Sequence, residues 1–526
     1  MIRSNPDALH RGSTQTKGPR MFRWKATAAA IAIAALALTG CASSGSSDGE
    51  SGGTLTITAI AAPTTFDPAG SEWGNRSPFY QAVFDTLLLA TPEGTIEPWL
   101  ATDWSYNDDN TVLTLNLRDD VTFTDGTPLN AEAVVTNLER FKTGTSPDAG
   151  YFAGVNSFEA VDEFTVQITL AAPDPAMLNY LTRDPGLVGA PASLESADVA
   201  TTPVGSGPYI LDTAATVTDT TYVYTKNPDY WNPDVQYYDA LTINVLSDPT
   251  AALNAIKAGE ANGVRLATND SLSEVEAAGW TINANELDFQ GLLLFDRNGE
   301  MSAPLGDVRV RQAMNYAFDR EGLLQALQNG YGTVTTQVFP ATSAAYDPEL
   351  DSYYTYDPEK AKELLAEAGY PDGFDIETMS VSVFSQATTT LIQQQLADVG
   401  IRVTFVDTPI GNAIADMLAP KYPYVFMALE QNPDWQLIQF MIAPNAVFNP
   451  FHSTAPEVEA LIEKIQFGDQ ATQDEGAAEL NKWLVENAWF APFFRVQGSF
   501  ATDANTTAVM LPTNAYPAIY DIKPAQ

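Results

Sequence analysis

The sequence predicts a mixed α/β fold, because two hydrophobic periods alternate along the 526-residue chain. Apolar residues at every second position, typical of half-buried strands, occur at 54–60, 112–118 and 165–170. Apolar residues at helical spacing run from 133 to 141. Further on, residues 374–406 have a strand–helix–strand order, which favours a parallel crossover.

The first forty residues have the pattern of a secretory signal peptide. A basic stretch at 20–25 precedes an apolar, alanine-rich run at 26–38, too short to span a membrane as a stable anchor. The run ends in Leu-Thr-Gly-Cys, which resembles the lipobox of bacterial lipoproteins. The resemblance implies that Cys41 is lipidated and becomes the mature N-terminus. Met21 is an alternative start to Met1.

Residues 42–53 are rich in glycine and serine, so we expect residues 41–53 to form a lipidated, flexible tether. No later segment approaches 18 uninterrupted apolar residues, and we expect the body of the protein to be soluble.

The two clearest helices of the body have recognisable ends. Asn130 precedes the helical pattern at 133–141 and is suited to cap it. A second helix begins after Asp357 with Pro358 in its first turn, and Gly369 is suited to end it in the left-handed region.

Composition excludes several functions. The net charge of −40 opposes binding of nucleic acid, whose phosphate backbone is also negative. The chain has one cysteine and two histidines, which rules out an intrachain disulfide and a cysteine- or histidine-rich metal site. We therefore expect neither a bound metal nor a cofactor.

No catalytic motif has a suitable context. Residues 45–49 match the G-x-S-x-G pattern of hydrolases, but they lie in the tether, where neither a strand nor a helix is predicted. The sequence has no P-loop, so any ATP would be used by a partner. Pairs of carboxylates are abundant, and a secreted hydrolase remains an alternative to a binding protein.

Four segments in a fixed order carry a family resemblance. Residues 119–135, 205–209, 227–231 and 307–320 resemble the signatures of the peptide/nickel (family 5) extracellular solute-binding lipoproteins of bacterial ABC importers. The family implies a type II periplasmic-binding-protein-like fold, with two lobes joined by a hinge and an extra inserted domain. Within the last segment, we expect Arg309, Arg311, Asp319 and Arg320 to make ion pairs that orient a helix.

The resemblance also implies domain boundaries and partners. Lobe I would consist of 54–83, 202–295 and 494–526, the inserted domain of 84–201, and lobe II of 296–493. The protein would be a monomer and no enzyme, delivering a small polar solute, most readily a peptide, to a permease and ATPase complex. It would contact the membrane only through its lipid anchor. Opines, oligosaccharides and metal chelates remain alternative ligands.

The resemblance places Glu72, Trp73 and Gly74 on ligand-contact positions after the first strand, and Tyr151 on another. A second contact segment is 427–435. There the family has an acid that pairs with a peptide α-ammonium, and either Glu430 or Asp434 would take that role here. We expect Trp73 and Trp435 to meet the ligand from opposite lobes.

Two further residues are candidates on weaker resemblance. Arg297 follows a predicted strand at 291–295 and would pair either with a ligand carboxylate or with Asp296 or Glu300. His452 follows Phe451 at a position where the family often has an aromatic residue. A single histidine cannot hold a metal ion tightly, which lowers the expectation of nickel binding.

Overall fold

The computed structural model describes residues 52–382, 384–512 and 514–525. The predicted signal peptide, Cys41 and the tether up to residue 51 lie outside the described residues, so all three remain predictions from the sequence.

The helices and strands alternate along the chain. The helices are α1 (Ser77–Val83), α2 (Ala131–Lys142), α3 (Met177–Tyr180), α4 (Pro191–Leu194), α5 (Pro249–Ala258), α6 (Leu272–Ala277), α7 (Val308–Tyr316), α8 (Arg320–Gln328), α9 (Pro358–Glu367), α10 (Gln386–Asp398), α11 (Ile410–Leu418), α12 (Asp434–Leu437), α13 (Pro456–Phe467) and α14 (Gln470–Glu486). The strands are β1 (Thr54–Ala59), β2 (Asp85–Thr86), β3 (Leu88–Ala90), β4 (Ile96–Pro98), β5 (Ala101–Tyr106), β6 (Val112–Leu117), β7 (Val155–Asp162), β8 (Thr165–Leu170), β9 (Leu187–Val188), β10 (Tyr209–Leu211), β11 (Thr221–Lys226), β12 (Ala240–Val245), β13 (Gly263–Leu266), β14 (Thr281–Leu294), β15 (Gly332–Val334), β16 (Phe374–Ser380), β17 (Ile401–Asp407), β18 (Tyr424–Glu430), β19 (Phe490–Thr502), β20 (Thr506–Thr507) and β21 (Lys523–Pro524).

The two helices with predicted ends are confirmed as α2 and α9. The Asn130 side chain accepts a hydrogen bond from the backbone N–H of Ala133 and so caps α2. Asp357 accepts from the N–H of Lys360 at the start of α9. Gly369 follows α9 with φ of 95°, in the left-handed region as predicted.

The predicted strands are confirmed as β1, β6, β8, β16 and β17. β16 and β17 pair in parallel, as the strand–helix–strand order predicts. The prediction for 291–295 was too short, because β14 already begins at Thr281. Its first half is largely polar and only half-buried, so it has no apolar alternation that would identify it as a strand.

A nine-stranded sheet forms the framework. Its order is β10-β11-β12-β1-β13-β19-β14-β18, and β15 pairs with the half of β19 that β13 leaves uncovered. A separate antiparallel sheet, with order β5-β6-β8-β7, lies wholly within 84–201, and α2 packs against it. The chain is therefore α/β with several sheets, as predicted. The predicted domain boundaries remain a prediction.

Two of the signature segments meet at a buried carboxylate on β2. Asp85 accepts hydrogen bonds from the indole N–H groups of Trp99 (2.9 Å) and Trp231 (3.0 Å). The hydroxyls of Tyr230 (2.9 Å) and Ser206 (2.8 Å) also donate to it. Because four donors surround one charge, the segments 205–209 and 227–231 are fixed against β2. We call these five residues the Asp85 cluster.

The glycine next to Ser206 is required by close backbone contact. A Cβ atom on Gly205 would lie 2.0 Å from the carbonyl oxygen of Val83. No larger residue fits there without moving α1.

The ion pairs predicted for the segment 307–320 are only partly confirmed. Arg309 does pair with Asp307, at 2.6 Å. Arg311 instead donates to backbone carbonyls, among them those of Leu305 (2.7 Å) and Ala488 (3.2 Å).

Arg320 and Asp319 also differ from the prediction. Arg320 donates to the carbonyls of Pro492 and Asn315. Asp319 makes no ion pair among the described residues and instead caps α8 by accepting from the N–H of Gly322 at 3.0 Å. Backbone carbonyls at turns and helix ends accept hydrogen bonds from buried guanidinium groups, just as carboxylates do. The sequence pattern does not reveal which kind of acceptor an arginine will meet.

The Asp85 cluster generates a stability prediction. Each oxygen of Asp85 accepts from one indole and one hydroxyl, so in Asp85→Asn the amide NH₂ would face one of each. The indole can only donate and would lose its acceptor. We expect the variant to lower the free energy of unfolding at pH 7 by about 1–3 kcal/mol, measured by urea denaturation. Asp103→Asn, on the exposed strand β5, is the matched control and should change it little.

The stability difference between the wild-type protein and Asp85→Asn should also depend on pH. Burial raises the pKa of Asp85 from 3.8 to about 6, against the opposing effect of its four hydrogen bonds. The folded protein thus binds a proton that the unfolded chain releases, and this stabilisation is lost as pH rises through the folded pKa. Between pH 7 and pH 5 the wild-type free energy of unfolding should therefore rise by about 1 kcal/mol relative to Asp85→Asn. The same stability difference between the two proteins at pH 7 and at pH 5 would contradict a raised pKa of Asp85.

Candidate functional site

A cavity of about 390 Å³ is lined by six separate parts of the chain. We call it the tryptophan cavity, because Trp73 and Trp435 both line it. Its volume lies at the lower end of the range usual for small-molecule sites. Its polar and aromatic lining residues include Trp73, Gln81, Asn179, Arg183, Ser343, Asp434, Trp435, Gln436, Gln470, Gln473, Asp474, Asn514 and Tyr520.

A wider depression of about 780 Å³ lies elsewhere, between α10 and the ends of β16 and β17. One stretch of chain, 380–408, supplies its described lining residues, and none of the predicted ligand-contact residues is among them. The tryptophan cavity, which brings three of those residues together, is the better candidate site.

Trp73 is held rigidly. Its side chain is 2% exposed, and its indole N–H donates to the side-chain oxygen of Asn514 at 3.1 Å. Asn514 is fixed in turn by Asn285 of β14, which donates to its backbone carbonyl at 2.8 Å. The aromatic wall is therefore positioned by a residue of the long strand β14.

Asp434 and Trp435 begin α12, immediately after β18 and a short loop. Burial raises the pKa of Asp434, a hydrogen bond from Ser343 opposes the shift, and the charge of Asp474 adds to it. Trp435 is 5% exposed, and its indole N–H has no acceptor among the described residues. Asp434 likewise makes no ion pair within the described part of the chain.

Glu430, the other candidate acid, already has a cationic partner. It accepts from the Arg183 guanidinium at 3.2 Å, and Arg183 lines the cavity while Glu430 does not. Burial raises the pKa of Glu430, and Arg183 works against that shift. Asp288 lies opposite Glu430 in the pairing of β14 and β18, and burial raises its pKa to about 6. Of the two candidate acids, Glu430 has a cationic partner and Asp434 has none among the described residues.

Tyr151 reaches the site indirectly. Its ring stacks on that of Tyr180, with centroids 4.5 Å apart and planes inclined by 4°. Its hydroxyl accepts from the side-chain amide of Gln436 at 2.5 Å, and Gln436 lines the cavity. Tyr151 thus links the segment 147–152 to α12.

Two further predicted contact residues, Glu72 and Gly74, are next to the cavity but not among its lining residues. Glu72 forms an ion pair with Arg76, four residues further along the chain. A Cβ on Gly74 would meet no described atom within 4 Å. Their role in binding stays a prediction.

Arg297 and His452 lie away from the cavity lining. Arg297 pairs with neither Asp296 nor Glu300, contrary to one prediction. Its guanidinium stacks 4.3 Å from the ring of Trp489 and donates to the Trp489 carbonyl at 3.2 Å. Asp296 instead accepts from backbone N–H groups, among them that of Glu300 at 2.7 Å.

Burial, with the charge of Arg311 adding to it, lowers the pKa of Arg297. His452 is exposed, with φ of 51°, and its Nδ1 lies 2.7 Å from the carbonyl oxygen of Pro444. Within the described residues, His, Cys, Asp and Glu side chains form no group of three that could hold a metal ion. Any ligand role for Arg297 or His452 remains a prediction.

Orphaned polar atoms concentrate beside the cavity. The side-chain amide of Gln431 has no partner for either polar atom among the described residues, and neither do Asn432 Oδ1, Arg183 Nε and Trp435 Nε1. A buried polar group without a partner costs about 1–3 kcal/mol. Such groups require an explanation, and a polar ligand in the adjacent cavity is one that would satisfy Arg183 and Trp435, which line it.

Sequence reasoning missed several of these residues. Arg183, Ser343, Asp474 and Asn514 line the cavity but lie in segments without a motif. Gln436 could have been inferred as a lining residue, because it directly follows the predicted contact Trp435 in α12.

Comparison with known proteins identifies the family. Residues 95–443 match the family model described as "Bacterial extracellular solute-binding proteins, family 5 Middle". The chain belongs to this family. The glutathione-binding protein GsiB of Escherichia coli (strain K12) is 31% identical over 367 residues, which is 67% of this chain and 69% of GsiB. GsiB of Shigella flexneri is also 31% identical over 367 residues, with the same coverage.

Solved structures agree on the fold. The PBP AgaA from A. tumefacien R10, in complex with agropinic acid, is 24% identical, with a TM-score of 0.72, covering 90% of this chain and 99% of AgaA. DppA from Helicobacter pylori, in complex with the peptide STSA, is 22% identical, with a TM-score of 0.72, covering 90% and 98%. The family 5 chain described here therefore has the type II periplasmic-binding fold that its signatures predict.

Family membership makes this chain an extracellular solute-binding protein of the kind that serves ABC importers, acting outside the cytoplasm. Its relatives are solute-binding proteins and not enzymes. Across the described part of the chain, no helix combines the length and the apolar character needed to cross a membrane.

The Arg183–Glu430 ion pair of this family 5 protein can be tested without a ligand. We expect Arg183→Gln and Glu430→Gln each to lower the free energy of unfolding, because each leaves a largely buried partner without its counter-charge. The double variant should lose less than the sum, by about 1 kcal/mol, since Glu430 is one-third exposed and water weakens the pair. Urea denaturation of all four proteins measures this coupling, and strictly additive losses would contradict it.

Proposed function

We propose that this family 5 protein is the lipid-anchored receptor of an ABC importer and binds a small peptide-like solute in the tryptophan cavity. The observation that carries the proposal is that Asp434, a half-buried carboxylate without an ion-pair partner among the described residues, and two buried tryptophans line one cavity of about 390 Å³.

Charge favours a ligand with an ammonium group. A buried carboxylate is costly unless a cation offsets its lost hydration, and Arg183 is already engaged by Glu430. The indole N–H of Trp435 needs an acceptor. An amino group close to a carbonyl, as at the N-terminus of a peptide, supplies both. The cavity volume favours a short ligand over a long one.

The names of related proteins support this chemistry without fixing the ligand. GsiB is named for glutathione, a small peptide, and DppA of Helicobacter pylori was solved with the peptide STSA. AgaA was solved with agropinic acid, so an opine is the alternative ligand to test alongside peptides. Oligosaccharides and metal chelates are the remaining alternative ligands.

Closure around the ligand is the proposed mechanism. We assign 54–83, 202–295 and 494–526 to lobe I, 84–201 to the inserted domain and 296–493 to lobe II. Arg183–Glu430 and Tyr151–Gln436 then connect the inserted domain to lobe II beside the cavity. A ligand that contacts Trp73 of lobe I and Trp435 of lobe II favours the closed state by its differential affinity.

Anchoring rests on the sequence before residue 52. Lipidation of Cys41 would hold the monomeric body at the cell membrane through the tether, close to its permease and ATPase partners. Neither nucleic acid nor a metal cofactor has a part in this scheme.

The ligand-binding prediction uses calorimetry. The wild-type protein is titrated with a panel of di- and tripeptides, glutathione and agropinic acid. We expect Trp73→Ala and Trp435→Ala to weaken binding of the best ligand by about ten- to a hundredfold, as for buried aromatic anchors. Trp280→Ala is the matched control, because Trp280 packs in a separate small core. Unchanged affinity in both cavity variants would contradict the site.

The anchoring prediction uses Cys41→Ser. Wild-type protein should fractionate with the cell membrane and incorporate labelled fatty acid. The variant should do neither, because serine cannot form the thioether to the lipid. Equal membrane association of the two proteins would count against a lipid anchor and leave the binding site unaffected.

A further inference from the structure

One face of α14 forms a wall of the tryptophan cavity. Gln470, Gln473, Asp474 and Ala477 all line it, and their spacing places them on the same side of the helix. The first turns of this helix therefore present polar groups to the cavity. No family signature from the sequence falls on them.

The charges in the lining are unbalanced. Its charged residues are Arg183, Asp434 and Asp474. Arg183 is neutralised by Glu430 at 3.2 Å. Asp474 accepts a hydrogen bond from Gln470 at 2.8 Å but makes no ion pair among the described residues, and neither does Asp434. Two carboxylates thus face one small cavity without a cation.

A second observation shows that this surface is suited to a ligand. Trp435 in the same lining is only 5% exposed, and its indole N–H has no acceptor among the described residues. The cavity therefore offers the Trp435 donor beside two negative charges. A molecule with an acceptor and two cationic groups would complement these three groups.

We propose that Asp474 is a specificity residue for a basic side chain, so that the preferred ligand is a small peptide with lysine or arginine next to its N-terminal residue. The proposal rests on the function proposed above. Asp434 takes the α-ammonium, the Trp435 indole donates to the first peptide carbonyl, and Asp474 takes the side-chain cation. An acidic side chain at that position would meet only like charge, which opposes binding.

The test is calorimetric titration with three dipeptides, Ala-Lys, Ala-Leu and Ala-Glu. We expect the wild-type protein to bind Ala-Lys at least tenfold more tightly than Ala-Leu, and Ala-Glu least. Asp474→Asn, which conserves size, should lose the preference and bind Ala-Lys and Ala-Leu equally. Asp474→Glu should keep the preference for Ala-Lys.

Two further variants separate this inference from the proposed function. Glu475→Gln is the matched control, because Glu475 is the next residue of α14 and pairs with Lys464 instead of lining the cavity. It should retain the wild-type preference. Asp434→Asn should weaken all three dipeptides alike.

The outcomes are distinguishable. Equal wild-type affinity for Ala-Lys and Ala-Leu, or a preference that survives in Asp474→Asn, overturns the role of Asp474 while the peptide site stands. No binding of any dipeptide overturns both the inference and the peptide-like ligand proposed for the protein.

Discussion

Antiparallel pairing of β14 with β19 is the constraint on which the rest of the structure depends. These long strands lie side by side in the nine-stranded sheet, and β13, β15 and β18 all pair with one or the other. Arg495, near the middle of β19 and 1% exposed, strengthens the pairing. Its guanidinium lies 2.6 Å from Glu286 of β14 and 2.7 Å from Asp351. Because a carboxylate on each side compensates its charge, this buried arginine holds β19 in place against β14.

An irregularity in the same pairing connects the framework to the cavity. The register of β14 and β19 shifts between Glu286 and Asp288, so Leu287 has no partner on β19. The carbonyl of Leu287 instead accepts the N–H of Gln431 at 3.2 Å, at the start of the loop that leads to Asp434. This hydrogen bond joins the long strand directly to the loop before Asp434, so the proposed closure on a ligand could be coupled to the framework there.

Local features of this fold were predictable, and contacts between distant residues were not. Asn130 and Asp357 cap their helices through backbone groups three residues away, so sequence spacing was enough to predict them. The Arg183–Glu430 pair joins residues 247 positions apart, and no periodic pattern marks either one. Trp73 and Trp435 came from family resemblance and share a cavity. Asp474 has no such signal, because an acid in the first turns of a helix is usually explained by the helix itself.

The charge of the whole chain and the charge of the cavity act differently. A net charge of −40 attracts any cation, but salt screens exposed charges beyond about 8 Å, so it raises encounter rates without choosing a ligand. Inside the cavity, Asp434 and Asp474 lie beside buried tryptophans. Less water is present there to screen their charges, so each charge would act more strongly on a ligand. In the proposed site, a ligand carboxylate would have to share the Arg183 guanidinium with Glu430, which already lies 3.2 Å from it. Under the proposed function, the Arg183–Glu430 ion pair therefore works against anionic ligands.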